Sequence, residues 1–457
     1  MLFHSQVFIL AFLPVALAGY YLFGRSALWR ERFLVLTSLT FYSYWDIRFL
    51  PLIVGSVCAN MLFAQAIRRY KVPHAFWLSI VFNLGLIGYF KYRDFFASNL
   101  YELLQLPYQH QTLVLPIGIS FFTFQQISYL VDLQRGSAPI YPFRHYALYV
   151  TFFPQLIAGP IVRHDELMFQ LAESPLRSGL YERMARGMCL FVVGLLKKMI
   201  ADHFAGIADP VFGAAAGSVT LHDAWSGVLA FTFQIYFDFS AYSDMAIGLG
   251  LMFGFWLPLN FDSPYKSASM REFWRRWHMT FSRFLRDYLY IPLGGNRFGY
   301  LRQTFAHMVT MLLCGLWHGA GWTFVLWGGM HGVGLIANNT WRRLSLPMHA
   351  AVGWVLTMVL VVAGWVLFRS VDLTSAWAMF GSLVGYAPHA ETVLGALRYR
   401  NFALAAAIVL FSPNSQQLVL ERMQPRSWVA VGFAIALVAV FLELGNNDNI
   451  EFIYFEF

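Results

Sequence analysis

Again and again this chain runs for about 20 residues with almost no charge, and that pattern limits what it can fold into more than any other. A helix needs about 20 mostly apolar residues to cross the hydrocarbon core of a bilayer. Such stretches lie at 6–24, 33–50, 50–67, 75–92, 112–132, 186–202, 224–238, 240–258, 303–318, 320–338, 350–368 and 428–444. The segments 145–161 and 401–412 are weaker and read as re-entrant or half-spanning. The expectation is an all-α polytopic membrane protein with about 10–12 membrane helices. Strict two-residue alternation, the mark of a membrane β-barrel, is absent. Composition agrees. Only 12% of the 457 residues are charged and 58% are hydrophobic, whereas soluble domains carry roughly 25% charge.

Residues 6–18 end in Ala16-Leu17-Ala18, which resembles a signal-peptidase site. No Lys or Arg precedes them, and Arg25, Arg30 and Arg32 follow. They therefore read as an uncleaved first helix whose C-terminal end faces the cytoplasm. Cys58, Cys189 and Cys314 all fall inside apolar segments and read as small core hydrophobes, with no disulfide or metal spacing. The net charge of +8 fits the insertion bias of Lys and Arg toward cytoplasmic loops, so no nucleic-acid partner is expected. No long polar stretch or fixed-period repeat interrupts the chain, and 1–457 reads as one membrane domain.

Two regions depart from plain apolar helix. The span 262–302 holds eight of the 32 Lys and Arg residues, opposed only by Asp262, Glu272 and Asp287. Positive-inside bias places it in the cytoplasm. From Arg271 to Tyr290, Phe273, Trp277, Phe281, Phe284 and Tyr288 recur at helical spacing, with Arg271, Arg275, His278, Ser282 and Arg286 on another face. This predicts an amphipathic helix at the membrane interface. The second region, 303–338, centres on WHGAGWTFVLWGGMHG (317–332), which is apolar apart from two histidines and rich in glycine. Glycines in membrane helices permit close backbone approach.

Ionisable groups at membrane depth are candidates for function by default. His318 is the sharpest, since imidazole both accepts and returns a proton near neutral pH. The residues alone leave it either a general base or a histidine hydrogen-bonded between helices. His278, on the polar face of the predicted interfacial helix, reads as solvated. His331 would lie about 20 Å from His318 along a continuous helix. No metal-ligand spacing occurs, so no metal is expected. Asp238 and Asp244, with Ser240, Tyr242 and Ser243, form a polar seam that lines a tunnel or joins helices. The basic face, Arg275 and Arg276 included, would hold either cofactor phosphates or anionic lipid headgroups.

REFWRRWHMTFSRFLRDYLYIPLGGNR (271–297) and CGLWHGAGWTFVLWGGMHG (314–332) together resemble the membrane-bound O-acyltransferase family, most of all the bacterial branch that includes the alginate O-acetylation membrane subunit. IGYFKYRDFF (87–96), LPIGISFFTFQQISYLVDLQRG (115–136), FFPQLIAGPIVR (152–163), YFDFSAYSDMAIGLGLMFGF (236–255) and the closing FIYFEF (452–457) extend the resemblance over nearly the whole chain. The region 372–412 looks short for that branch. The resemblance implies a ring of membrane helices around a cytoplasmic funnel in the bacterial inner membrane. It implies His318 and His278 as the catalytic pair, with Trp317, Arg275, Arg276, Asp238 and Asp244 as donor-binding or tunnel residues. The donor it implies is acetyl-CoA. The partners it implies are membrane lipid, a periplasmic SGNH-hydrolase-like acetyltransferase and the exopolysaccharide machinery. In that scheme His318 is the base or receives the acyl group itself, and His278 orients the donor or supports charge on the thioester oxygen. The competing readings are a proton-coupled transporter or flippase, for which an inverted repeat is lacking, and an acyltransferase for a protein or lipid.

Overall fold

A computed structural model describes residues 1–109, 113–387, 390–395, 399–424, 426–444 and 452–453; of the closing FIYFEF, residues 454–457 lie outside it. Among the described residues there is helix and no strand, only an isolated bridge between Val219 and Glu391. The contacts group into two units. One comprises 1–195, 242–259 and 419–456, and the other 196–241 and 260–418.

The first unit holds α1 (Leu13–Leu22), α2 (Ala27–Ser43), α3 (Leu50–Arg68), α4 (Ala75–Ile87), α5 (Arg93–Leu103), α6 (Ile119–Arg135), α7 (Phe143–Thr151) and the one-turn helices α8 (Phe153–Leu156) and α9 (His164–Leu167). Polar side chains join these apolar helices, as expected where lipid offers no hydrophobic drive for helices to associate. Asn60 Nδ2 donates to Asn83 Oδ1 at 3.2 Å and Asn83 Nδ2 to Asn60 Oδ1 at 2.6 Å, tying α3 to α4. Gln126 on α6 donates to Ser56 on α3 and accepts from Tyr146 on α7. The 145–161 segment is buried almost throughout, and α7 with α8 is too short to cross a bilayer.

α10 (Leu180–Gly213) and α11 (Leu221–Met252) are single long helices that contribute to both units. The two spans predicted at 224–238 and 240–258 are thus largely one helix, which ends at Gly254 with φ +85°. No residue of 236–244 breaks it, and Asp238 within it is ion-paired with Lys198. Within the first unit, α10 and α11 touch at Gly187 and Gly248. A Cβ on Gly187 would stand 2.7 Å from the Gly248 carbonyl oxygen.

The second unit continues with α12 (Met270–Arg276), α13 (Met279–Leu285), α14 (Gly299–His318), α15 (Trp322–Arg343), α16 (Ala350–Arg369), α17 (Leu373–Leu383) and α18 (Tyr399–Phe411); α19 (Ser427–Leu444) belongs to the first. α14 and α15 form a tight hairpin joined by three residues. Gly315 and Gly328 meet there, and a Cβ on Gly328 would lie 2.2 Å from the Met311 carbonyl oxygen. α15 packs in turn on α16 and on α12.

Three helical spans, 47–68, 75–103 and 350–369, are each long and apolar enough to cross a membrane, and 8–22, 399–411 and 427–442 are shorter apolar helices. Within 75–103, the apolar Trp77, Leu78, Val81 and Leu84 are exposed, as on a lipid-facing helix. Cys58 is likewise exposed on α3 rather than in a core, and only Cys314 is fully buried. The chain is an all-α polytopic membrane protein.

Candidate active site

The predicted interfacial helix from Arg271 to Tyr290 is broken in two. α12 is capped by Ser269, whose side chain accepts from Glu272 N–H at 3.2 Å. It ends at Trp277, which is extended, and His278 follows in the left-handed region at φ 42°, ψ 55°. For a residue with a Cβ, that conformation costs about 1–2 kcal/mol. The break is made by residues 260–262. Asp262 N–H donates to the Arg276 carbonyl and Met279 N–H to the Asn260 carbonyl, both at 2.9 Å. They take the backbone groups that a continuous ladder would have used.

The break drives His278 inward. It is fully buried, not solvated on a polar face. Its ring lies edge-on to Phe239 at 4.7 Å and beside Phe281 at 4.9 Å. Its Nδ1 stands 3.0 Å from Asn260 Oδ1. Burial pushes the imidazole down to about 3, so His278 is neutral at physiological pH.

His318 is the last residue of α14, where Gly319 turns the chain out at φ −158°. Its ring is enclosed by Trp317 at 4.9 Å, Trp327 at 5.1 Å, Phe368 at 5.4 Å and Phe281 at 5.6 Å. Phe281 therefore neighbours both histidines. Trp317 stacks on Phe281 at 4.2 Å and also reaches His278, at 6.3 Å. His278, His318 and Trp317 are thus brought into one aromatic cluster.

His331 belongs to the same cluster, against the 20 Å separation expected for a continuous helix. The chain breaks at 319–321, so α15 doubles back. Trp327 touches His318 on one side and His331, at 4.7 Å, on the other.

Next to this cluster opens a cavity of about 650 Å³, lined at its exposed rim by Arg271, Arg275 and Arg286 and deeper by Trp274, Met279 and Met311. By way of α12 and α15, two aromatic rings stand between it and His318. Trp274 lines it, Trp274 meets Trp327 at 5.9 Å, and Trp327 meets His318. Among the described residues neither Arg271 nor Arg275 is ion-paired, and burial together with the nearby Arg275 and Arg342 charges holds the Arg271 guanidinium below its ordinary range. Clustered guanidinium groups of this kind favour a polyanionic guest.

Arg276 is placed differently. It pairs with Asp262 at 3.3 Å and with Glu272 at 3.0 Å, and does not line the cavity. Asp238 bonds Lys198 Nζ at 2.9 Å, and Lys198 also meets Asp202 at 2.7 Å. Asp244, Tyr242 and Ser243 fall in the first unit, where Asp244 is fully buried. Within the second unit, Asp238 of the seam read from sequence belongs to a buried ion cluster with Lys198. Lys198 and Asn260 were passed over in the sequence. A lysine inside the apolar run 186–202 was a signal for the first. Nothing local marks the second.

The chain belongs to the membrane-bound O-acyltransferase family, whose model matches residues 62–370. It is similar to the peptidoglycan O-acetyltransferase of Helicobacter pylori, with 41% identity over 84% of this chain and 80% of that protein. It is similar to a probable alginate O-acetylase, AlgI, of Pseudomonas aeruginosa, with 43% identity over 84% of this chain and 75% of that one. A teichoic acid D-alanyltransferase of Streptococcus thermophilus is 29% identical over 51% of this chain and 59% of its own length. The chain is a multi-pass membrane O-acyltransferase.

Proposed function

We propose that this enzyme takes an acetyl group from cytosolic acetyl-CoA and delivers it for O-acetylation of a cell-surface polysaccharide such as alginate, from the bacterial inner membrane. The observation that carries the reading is the pair of buried histidines on one phenyl ring, beside an arginine-rimmed cavity. The names of the relatives support a polymeric acceptor. A periplasmic SGNH-hydrolase-like protein is the partner that places the group on the polymer.

In this reading the CoA phosphates lie against Arg271 and Arg275, and the thioester points toward His278 and His318. His318 takes the proton of the incoming hydroxyl as its oxygen attacks the thioester carbon. The C–O bond forms, the C–S bond breaks, and the proton passes to the departing thiolate. Aromatic walls keep bulk water from competing as the nucleophile. The test is consumption of radiolabelled acetyl-CoA by protein in nanodiscs, wild type against His318→Ala, with and without the periplasmic partner. Label transfer that depends on His318 supports the reading. Equal turnover by an intact His318→Ala protein removes His318 as the base.

A further inference from the structure

We propose that Asn260 is a positioning residue that locks His278 in the Nδ1–H tautomer, so that His278 meets substrate as a hydrogen-bond acceptor through Nε2. Asn260 Oδ1 lies 3.4 Å from Thr280 N and 2.9 Å from Thr280 Oγ1. A backbone N–H only donates, so the atom facing it accepts and is the amide oxygen. That same oxygen stands 3.0 Å from His278 Nδ1. The imidazole must therefore place its proton on Nδ1, and a neutral ring then carries the lone pair on Nε2.

The lock is rigid. Asn260 and His278 are both fully buried. The Asn260 backbone carbonyl accepts from Met279 N–H at 2.9 Å. One asparagine thus holds the residue after His278 through its main chain and the imidazole through its side chain. It reaches across the helix break that gives His278 its left-handed backbone.

The consequence is chemical. A neutral imidazole with its lone pair at Nε2 has no proton there to offer a thioester oxygen. The substrate group that His278 engages is an O–H or N–H donor, and His278 complements His318 as an acceptor. This role rests on the acyl-transfer reading above, whereas the tautomer does not.

The test separates the two. Protein with ¹⁵N-labelled histidine is placed in nanodiscs, the His278 ring resonances are assigned by difference with His278→Gln, and the tautomer is read from the nitrogen shifts without turnover. The wild type is expected to show a protonated Nδ1. Asn260→Ala is expected to lose that preference and to lower kcat at least ~10-fold, in the range by which a mispositioned base slows proton transfer, with KM for the donor little changed. Asn260→Asp keeps the acceptor and is expected to restore the Nδ1–H form and part of kcat. Thr280→Val removes the Thr280 Oγ1 contact of Asn260 and is expected to leave tautomer and kcat near wild type. A wild-type Nε2–H tautomer overturns the proposal, as does an Asn260→Ala protein that keeps both the Nδ1–H form and its kcat. Equal losses in Thr280→Val and Asn260→Ala also overturn it, by assigning Asn260 to the turn alone. Absence of acetyl transfer in every sample counts against the acyl-transfer reading and leaves the tautomer result standing.

Discussion

Trp274 donates its indole N–H to Nδ1 of His331 at 3.2 Å, which ties the inner wall of the cavity to α15. Trp274→Phe leaves a buried acceptor without its donor, which costs about 1–3 kcal/mol. The expected outcome is a lower thermal midpoint. In a double-mutant cycle with His331→Phe the two losses should fall short of additive. Strict additivity in detergent-solubilised melting curves would remove the coupling.

His318→Ala is expected to insert and fold, and to lower kcat by about 10²–10⁴-fold, the usual worth of a positioned base. His278→Ala is expected to lose most of the activity as well. The check is single-turnover acetyl transfer at saturating donor, with size-exclusion profiles to confirm folding.

Arg275 and Arg276 are neighbours in sequence with different duties. Arg275→Ala is expected to raise KM for the anionic donor, more so at low salt, where the charge is least screened. Arg276→Ala breaks the pairs with Asp262 and Glu272, and is expected to lower stability by up to about 1 kcal/mol while KM changes less. Donor titrations at two ionic strengths, beside melting curves, distinguish the two. The reverse pattern would reassign both residues.

Gly328→Ala places a methyl 2.2 Å from the Met311 carbonyl oxygen. Backbone on that side leaves no flexible group to yield, so the hairpin must open. A loss of about 1–3 kcal/mol is expected for such overpacking. Gly329→Ala, whose Cβ would meet only the Leu312 side chain at 3.4 Å, is the control and is expected to melt near wild type.

Lys198 is held by Asp238 and Asp202 and is almost wholly buried. Removing one partner of a buried ion pair costs about 3–5 kcal/mol, whereas replacing the set by apolar side chains is often close to neutral. Asp238→Leu alone is therefore expected to reduce the yield of folded protein sharply. The triple change Asp238→Leu, Asp202→Leu, Lys198→Met should recover much of it, as read by fluorescence-detected size exclusion.

The helices were legible wherever a long apolar run was uninterrupted, as at 50–67 and 350–368, because burial in lipid leaves the backbone no alternative to internal hydrogen bonding. His318 was legible because an ionisable group at depth stands out against its neighbours. The break at His278 was not. Its cause is a pair of backbone hydrogen bonds, one accepted by Asn260 and one donated by Asp262, well upstream in the chain, and the 271–290 pattern alone satisfies a helical period. Arg275 and Arg276 looked equivalent because charge is read without geometry. His331 looked remote because the three-residue reversal at 319–321 is unremarkable as a string of small residues. Asn260 carried no mark at all, since an asparagine after proline and leucine is ordinary until its oxygen is seen facing an imidazole.

The α14–α15 hairpin also bears on how such a chain assembles. Its helices are joined by three residues, so their contact is among the most local in the second unit. Little chain entropy opposes closing so short a loop, and local contacts form early. A helix pair that meets glycine to glycine therefore supplies its own nucleus during insertion. The residue at its tip, His318, reaches its orientation relative to Trp327 as soon as the two helices meet. The strap that places His278, at 260–262, lies upstream of both that histidine and the hairpin, so it is synthesised before α14 and α15. The two halves of the chemistry would thus be set at different moments in the life of the nascent protein.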